Sequence, residues 1–122
     1  METLIIQGTE DTPTVVLDAA NNKYEISGRS LPEDVTAFYK PVFDWIASVS
    51  GVSKLDFHIK LEYFNTASSK ILLDIFSKLE TLKENGIDVT IVWNFSEDDE
   101  DMQEAGEEYS ELVEVPFKLV SF

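Results

Sequence analysis

Two stretches of the chain alternate apolar and polar residues with a period of two. In the first, Leu55, Phe57, Ile59, Leu61 and Tyr63 fall on one side, and Asp56, His58, Lys60 and Glu62 on the other. In the second, Ile87, Val89, Ile91, Trp93 and Phe95 alternate with Asp88, Thr90, Val92 and Asn94. Successive side chains of a strand point to opposite faces, so the pattern predicts two strands with one buried and one largely polar face. Between them Ile71, Leu72, Ile75, Phe76, Leu79 and Leu82 recur at helical spacing, and Asn85-Gly86 stops the run. Strand, helix and strand in this order predict a parallel βαβ unit with a right-handed crossover. A sheet covered on both faces would show unbroken apolar strands. The expected fold class is therefore α/β: a single two-layer domain over residues 1–122, with a mixed sheet and helices mainly on one face.

The rest of the chain fits this frame. Leu4-Ile5-Ile6, Thr14-Val15-Val16-Leu17 and Tyr24-Glu25-Ile26 predict short strands, the last two joined by a hairpin turn at Asn21-Asn22. Ser30 or Leu31 before Pro32, then Glu33 and Asp34, predict a helix start at Pro32. Val35, Phe38, Tyr39, Val42, Ile46 and Val49 form its apolar stripe, Phe43 and Trp45 widen it, and Gly51 closes it. Pro41 lies inside that stripe and is expected to kink or restart the helix. A further helix is expected near Met102–Leu112, and Pro116, Phe117 and Leu119 predict a final strand.

Composition narrows the function. The chain has no cysteine and one histidine, which excludes disulfides, thiol nucleophiles and cysteine or histidine-rich zinc sites. The formal net charge of -15 argues against binding phosphate backbones or anionic membranes, so neither nucleic acid nor membrane is an expected partner. Residues 97–114 hold ten acids and no base, leaving 14 acids for the nine bases elsewhere. That run would draw a basic or metal-bearing partner, or it is a solvated, solubilising face. Glu97-Asp98-Asp99-Glu100-Asp101 lacks the spacing and mid-loop glycine of a calcium loop, so no metal is expected. The N-terminus has no basic n-region, and no apolar run reaches the length of a membrane span, which makes cytoplasmic placement the expectation.

Candidate chemistry is sparse. His58 is the sole conventional general base, set among Asp56, Lys60 and Glu62. No nucleophile elbow or phosphate-cradling glycine loop accompanies it, so a small hydrolase is the remote reading and no cofactor is expected. Asn65, Thr66, Ala67, Ser68 and Ser69 lie where a parallel strand feeds a helix. Free N–H groups and a positive partial charge at such a start accommodate an anion, including a phosphate on Thr66. The same residue types are preferred helix caps, so capping and modification both stand at this point.

Four stretches carry a resemblance: Ser27-Gly28-Arg29-Ser30-Leu31-Pro32-Glu33, Phe38-Tyr39-Lys40-Pro41-Val42-Phe43-Asp44-Trp45, Tyr63-Phe64-Asn65-Thr66-Ala67-Ser68-Ser69-Lys70, and Asp99-Glu100-Asp101-Met102-Gln103-Glu104-Ala105-Gly106-Glu107. Together they resemble the SiaC-type regulatory phosphoproteins, relatives in arrangement of the STAS domains of anti-sigma factor antagonists. The resemblance implies a non-enzymatic partner switch in bacterial biofilm regulation. A protein kinase phosphorylates a threonine, here Thr66, and a PP2C-type phosphatase removes the phosphate. The unmodified form binds and activates an effector such as a diguanylate cyclase, the source of cyclic di-GMP. Asn65, Ala67, Ser68 and Ser69 would be neighbours on the switch surface; Ala67 stands where the family often has serine. The alternative is a constitutive protein- or anion-binding module in which Thr66 only caps the helix.

Overall fold

The computed structural model describes residues 2–122. Six strands form one sheet in sequential order: β1 (Leu4–Ile6), β2 (Thr14–Asp18), β3 (Lys23–Ser30), β4 (Lys54–Phe64), β5 (Asp88–Phe95) and β6 (Phe117–Ser121). The first two pairings are antiparallel and the next three parallel, so the sheet is mixed as expected. Helices α1 (Val35–Ser48), α2 (Thr66–Glu84) and α3 (Glu100–Leu112) each fill one parallel crossover. Right-handed crossovers that always step toward the same edge put their helices on the same face. This is the two-layer arrangement expected from the alternating strands, and the STAS-like one that the resemblance implies.

The core lies between the layers. Tyr24, Ile26, Leu55, Phe57, Ile59, Ile91 and Trp93 from the sheet meet Tyr39, Val42, Ile46, Leu72, Ile75, Phe76 and Leu79 from the helices. The β2–β3 connection is Ala19–Asn22, longer than the tight turn expected at Asn21-Asn22; the Asn22 N–H donates to the Ala19 carbonyl at 3.2 Å and Asn22 takes a positive φ of 52° where the chain enters β3.

Three expectations are corrected. The first helix starts at Val35, because Asp34 accepts from the Ala37 N–H and forms the cap; Pro32 is buried in the link before it. Of the two outcomes expected at Pro41, a restart is overturned: α1 runs through it as one helix to Ser48. The carbonyl it leaves without a helical donor belongs to exposed Ala37, where water can serve it. Tyr63, expected on the buried face of β4, is 49% exposed. The pairing of β3 with β4 slips at Gly28/Arg29: Leu61 faces Gly28, Tyr63 faces Arg29, and Glu62 has no partner. This bulge reverses the alternation, so Tyr63 turns outward and Phe64 packs against the core.

Candidate switch site at the start of helix α2

At the carboxyl end of β4 the chain turns directly into α2. Asn65 is extended, with φ -83° and ψ 175°, and its side chain accepts from the Ser68 N–H at 2.8 Å. Its carbonyl accepts from the Ser69 N–H at 3.0 Å, the first helical bond. Asn65 is thus the cap, and Thr66 is the first helical residue. The capping reading of Thr66 is corrected accordingly: asparagine at position 65 already supplies the acceptor that the helix start needs. Thr66 and Ala67 are exposed. Among the described residues the Thr66 hydroxyl makes no hydrogen bond.

Ser68 is not a surface neighbour of Thr66, contrary to expectation. It is fully buried, because its direction from the first turn points it under the helix into the core. Its hydroxyl donates to the Ser30 carbonyl at 3.0 Å and lies 2.8 Å from the Ser30 hydroxyl. The Ser30 hydroxyl in turn lies 2.6 Å from that of Tyr39 on α1. One orientation satisfies all three groups. The Ser68 proton goes to the carbonyl, which only accepts; Ser30 donates to Ser68; Tyr39 donates to Ser30. Burial pushes the Tyr39 hydroxyl up to about 12, against a smaller opposing effect of the Ser30 bond. The Asn65 N–H donates to the Ser30 carbonyl at 3.1 Å, so β3, α1 and α2 converge beneath Thr66.

Ser69 is half-buried. Its hydroxyl donates to the Thr66 carbonyl at 2.7 Å, and its own carbonyl accepts from Tyr109 on α3 at 2.7 Å. Burial first, then the nearby Glu108 charge, raise Tyr109 to about 12. Trp93 on β5 donates to the Met102 carbonyl at 2.9 Å and packs under Gly106, which fixes α3 beside α2. Sequence reasoning did not pair Ser30, Tyr39 and Ser68. Their separation in the chain hides the contact, although all three fall inside stretches that carried the resemblance.

The remaining candidates lie elsewhere. His58 sits half-buried on the face of the sheet without helices, in an open groove with Asp56, Asp88, Thr90 and Asn94. Among the described residues it has no hydrogen-bond or ion-pair partner, and no serine lines that groove. Asp99 accepts from the Met102 N–H at 3.0 Å and caps α3, with Glu100 and Asp101 in the first turn complementing its positive end. Among the described residues no three acidic or histidine side chains converge as a metal site requires, and no helix is long and apolar enough to cross a membrane.

Comparison with known proteins adds three findings. Residues 6–122 match the family model described as SiaC family regulatory phosphoprotein. An uncharacterised protein of Pseudomonas aeruginosa strain UCBPP-PA14 is 31% identical over 121 residues, spanning 98% of this chain and 96% of that one. Two solved structures superpose closely. The crystal structure of apo-SiaC from P. aeruginosa gives a TM-score of 0.90 at 29% identity, covering 99% of this chain and all of that one. A chain in the crystal structure of diguanylate cyclase SiaD with its activator SiaC, also from P. aeruginosa, gives 0.90 at 30%, covering 98% and 99%.

Proposed function

The chain belongs to the SiaC family of regulatory phosphoproteins, and from that premise we propose that it is a cytoplasmic partner switch controlled by reversible phosphorylation of Thr66. The unmodified form binds and activates a diguanylate cyclase, as SiaC is the activator of SiaD. A protein kinase adds the phosphate and a PP2C-type phosphatase removes it. The whole of residues 1–122 acts as one switch domain, and catalysis belongs to its partners.

One observation carries this reading. Thr66 offers an exposed hydroxyl at the first helical position while its neighbour Asn65 does the capping. A phosphate there adds roughly -1.5 to -2 of charge and three acceptor oxygens. The N–H groups at the helix start and its positive partial charge compensate part of that charge. The fold is kept and the surface is changed, which is what a partner switch needs. Ser69 and the buried Ser68 are poorer acceptors: one hydroxyl is engaged with the Thr66 carbonyl and the other is enclosed.

The test is phosphorylation followed in the native host. Mass spectrometry should find phosphate on Thr66 and lose it in Thr66→Ala. Thr66→Glu should lose the cyclase partner that the wild-type chain captures. Cyclase binding indifferent to both substitutions would overturn the reading.

A further inference from the structure

The geometry points to Arg29, stacked on Tyr63, as the part of the switch surface that holds the effector, by pairing with a carboxylate the effector supplies. The inference rests on the Thr66 switch reading and adds the chemistry of the contact. The bulge at Glu62 turns Tyr63 out of the core, and the Arg29 guanidinium lies 5.9 Å from the centre of its ring. Tyr63 is 49% exposed and Arg29 is also exposed, although burial of an aromatic ring is the favourable default. Arginine and tyrosine are the residue types that most often dominate protein interfaces.

Arg29 has no carboxylate partner among the described residues, whose ion pairs are Lys40 with Asp44 and Lys54 with Asp56. In a chain with 24 acids and nine bases, a free guanidinium on an exposed ring is a site with an unmet preference for an anion. It is tied to the switch through the backbone: Tyr63 lies three residues before Thr66 at the carboxyl end of β4, and the Asn65 N–H donates to the Ser30 carbonyl next to Arg29.

The sign of the switch selects the partner's charge. A phosphate on Thr66 adds negative charge at the same end of the sheet and opposes a carboxylate docked on Arg29, so the effector leaves. A basic effector segment drawn to the acidic α3 would instead be held more tightly by the added phosphate. An acidic contact at Arg29 therefore accounts for an unmodified form that binds.

The experiment titrates the wild-type chain, Arg29→Ala, Arg29→Lys, Thr66→Glu and the control Lys23→Ala into the host's diguanylate cyclases, with P. aeruginosa SiaD in parallel, at low and high salt. Lys23 lies at the opposite end of β3 and removes the same charge. Arg29→Ala should bind at least about tenfold more weakly at low salt and lose most of the wild-type salt dependence. Arg29→Lys should keep part of both, Lys23→Ala should match wild type, and all variants should melt alike. Arg29→Ala binding within about twofold of wild type, with Thr66→Glu still released, overturns the Arg29 contact and leaves the switch standing. A wild-type chain that binds none of the cyclases overturns both.

Discussion

The Tyr39 hydroxyl lies 2.6 Å from the Ser30 hydroxyl, with both side chains fully buried. Tyr39 depends on Ser30 for its acceptor, whereas Ser30 has a second bond to Ser68 at 2.8 Å. The two ends of the bond are therefore unequal. Ser30→Ala strands the tyrosine proton in the core and should cost roughly 1–3 kcal/mol. Tyr39→Phe leaves Ser30 still donating to Ser68 and should cost only about 0.5–1.5 kcal/mol. The double variant should be less unstable than the sum, because no tyrosine proton remains to strand. Urea unfolding of the four proteins measures the coupling; strict additivity would show that the bond carries no energy.

Alkaline stability follows from the same burial. An unfolded tyrosine ionises near its ordinary value of 10, while folded Tyr39 and Tyr109 hold their protons to about 12. Below pH 10 both states are protonated and the contribution is constant. Between pH 10 and 12 the unfolded state releases its protons first, so stability falls as pH rises. Two units on Tyr39 correspond to about 2–3 kcal/mol; Tyr109 adds a smaller amount because solvent reaches it. Unfolding midpoints should drop across this window, and Tyr39→Phe should flatten the drop. An unchanged slope in that variant would assign the effect to other groups.

Much of this fold was legible because one face of the sheet is covered. Leu55, Phe57, Ile59 and Leu61 announced β4 and its buried side, and Asn85-Gly86 announced the end of α2. Tyr63 was not legible. Its direction depends on Gly28 of β3, with φ 104°, across a pairing slip that no periodicity in β4 reveals. Ser68 misled for a related reason. Serine in a first helical turn is ordinarily a surface residue, and its burial is stable only because Ser30, 38 residues away, meets it. Thr66 itself was legible as a position, and the choice between cap and free hydroxyl needed the Asn65 geometry.

Gly106 gives a prediction opposite to helix propensity. Glycine inside a helix usually costs about 1 kcal/mol relative to alanine. Here a Cβ would lie 2.5 Å from Trp93 Cδ1 and 2.9 Å from Trp93 Cγ. The indole cannot retreat, because its N–H is bonded to the Met102 carbonyl and its ring is fully buried. Gly106→Ala should therefore destabilise by roughly 1–3 kcal/mol through overpacking. Thermal melting decides it: a raised midpoint would mean that α3 shifts to admit the methyl group.

The division of labour between Asn65 and Thr66 can be separated by two substitutions. Asn65→Ala removes the acceptor for the Ser68 N–H and should cost about 1 kcal/mol of stability. Thr66→Ala removes an exposed hydroxyl without a partner among the described residues, at a helical position where alanine is the better residue. It should change stability by less than about 0.5 kcal/mol. Their effects on phosphorylation should run the other way. Thr66→Ala should abolish incorporation of phosphate, while Asn65→Ala retains the hydroxyl and should slow incorporation by loosening the turn that presents it. Denaturant melts and phosphate incorporation with the host kinase measure the two axes. A Thr66→Ala protein that is as unstable as Asn65→Ala would return Thr66 to a structural role.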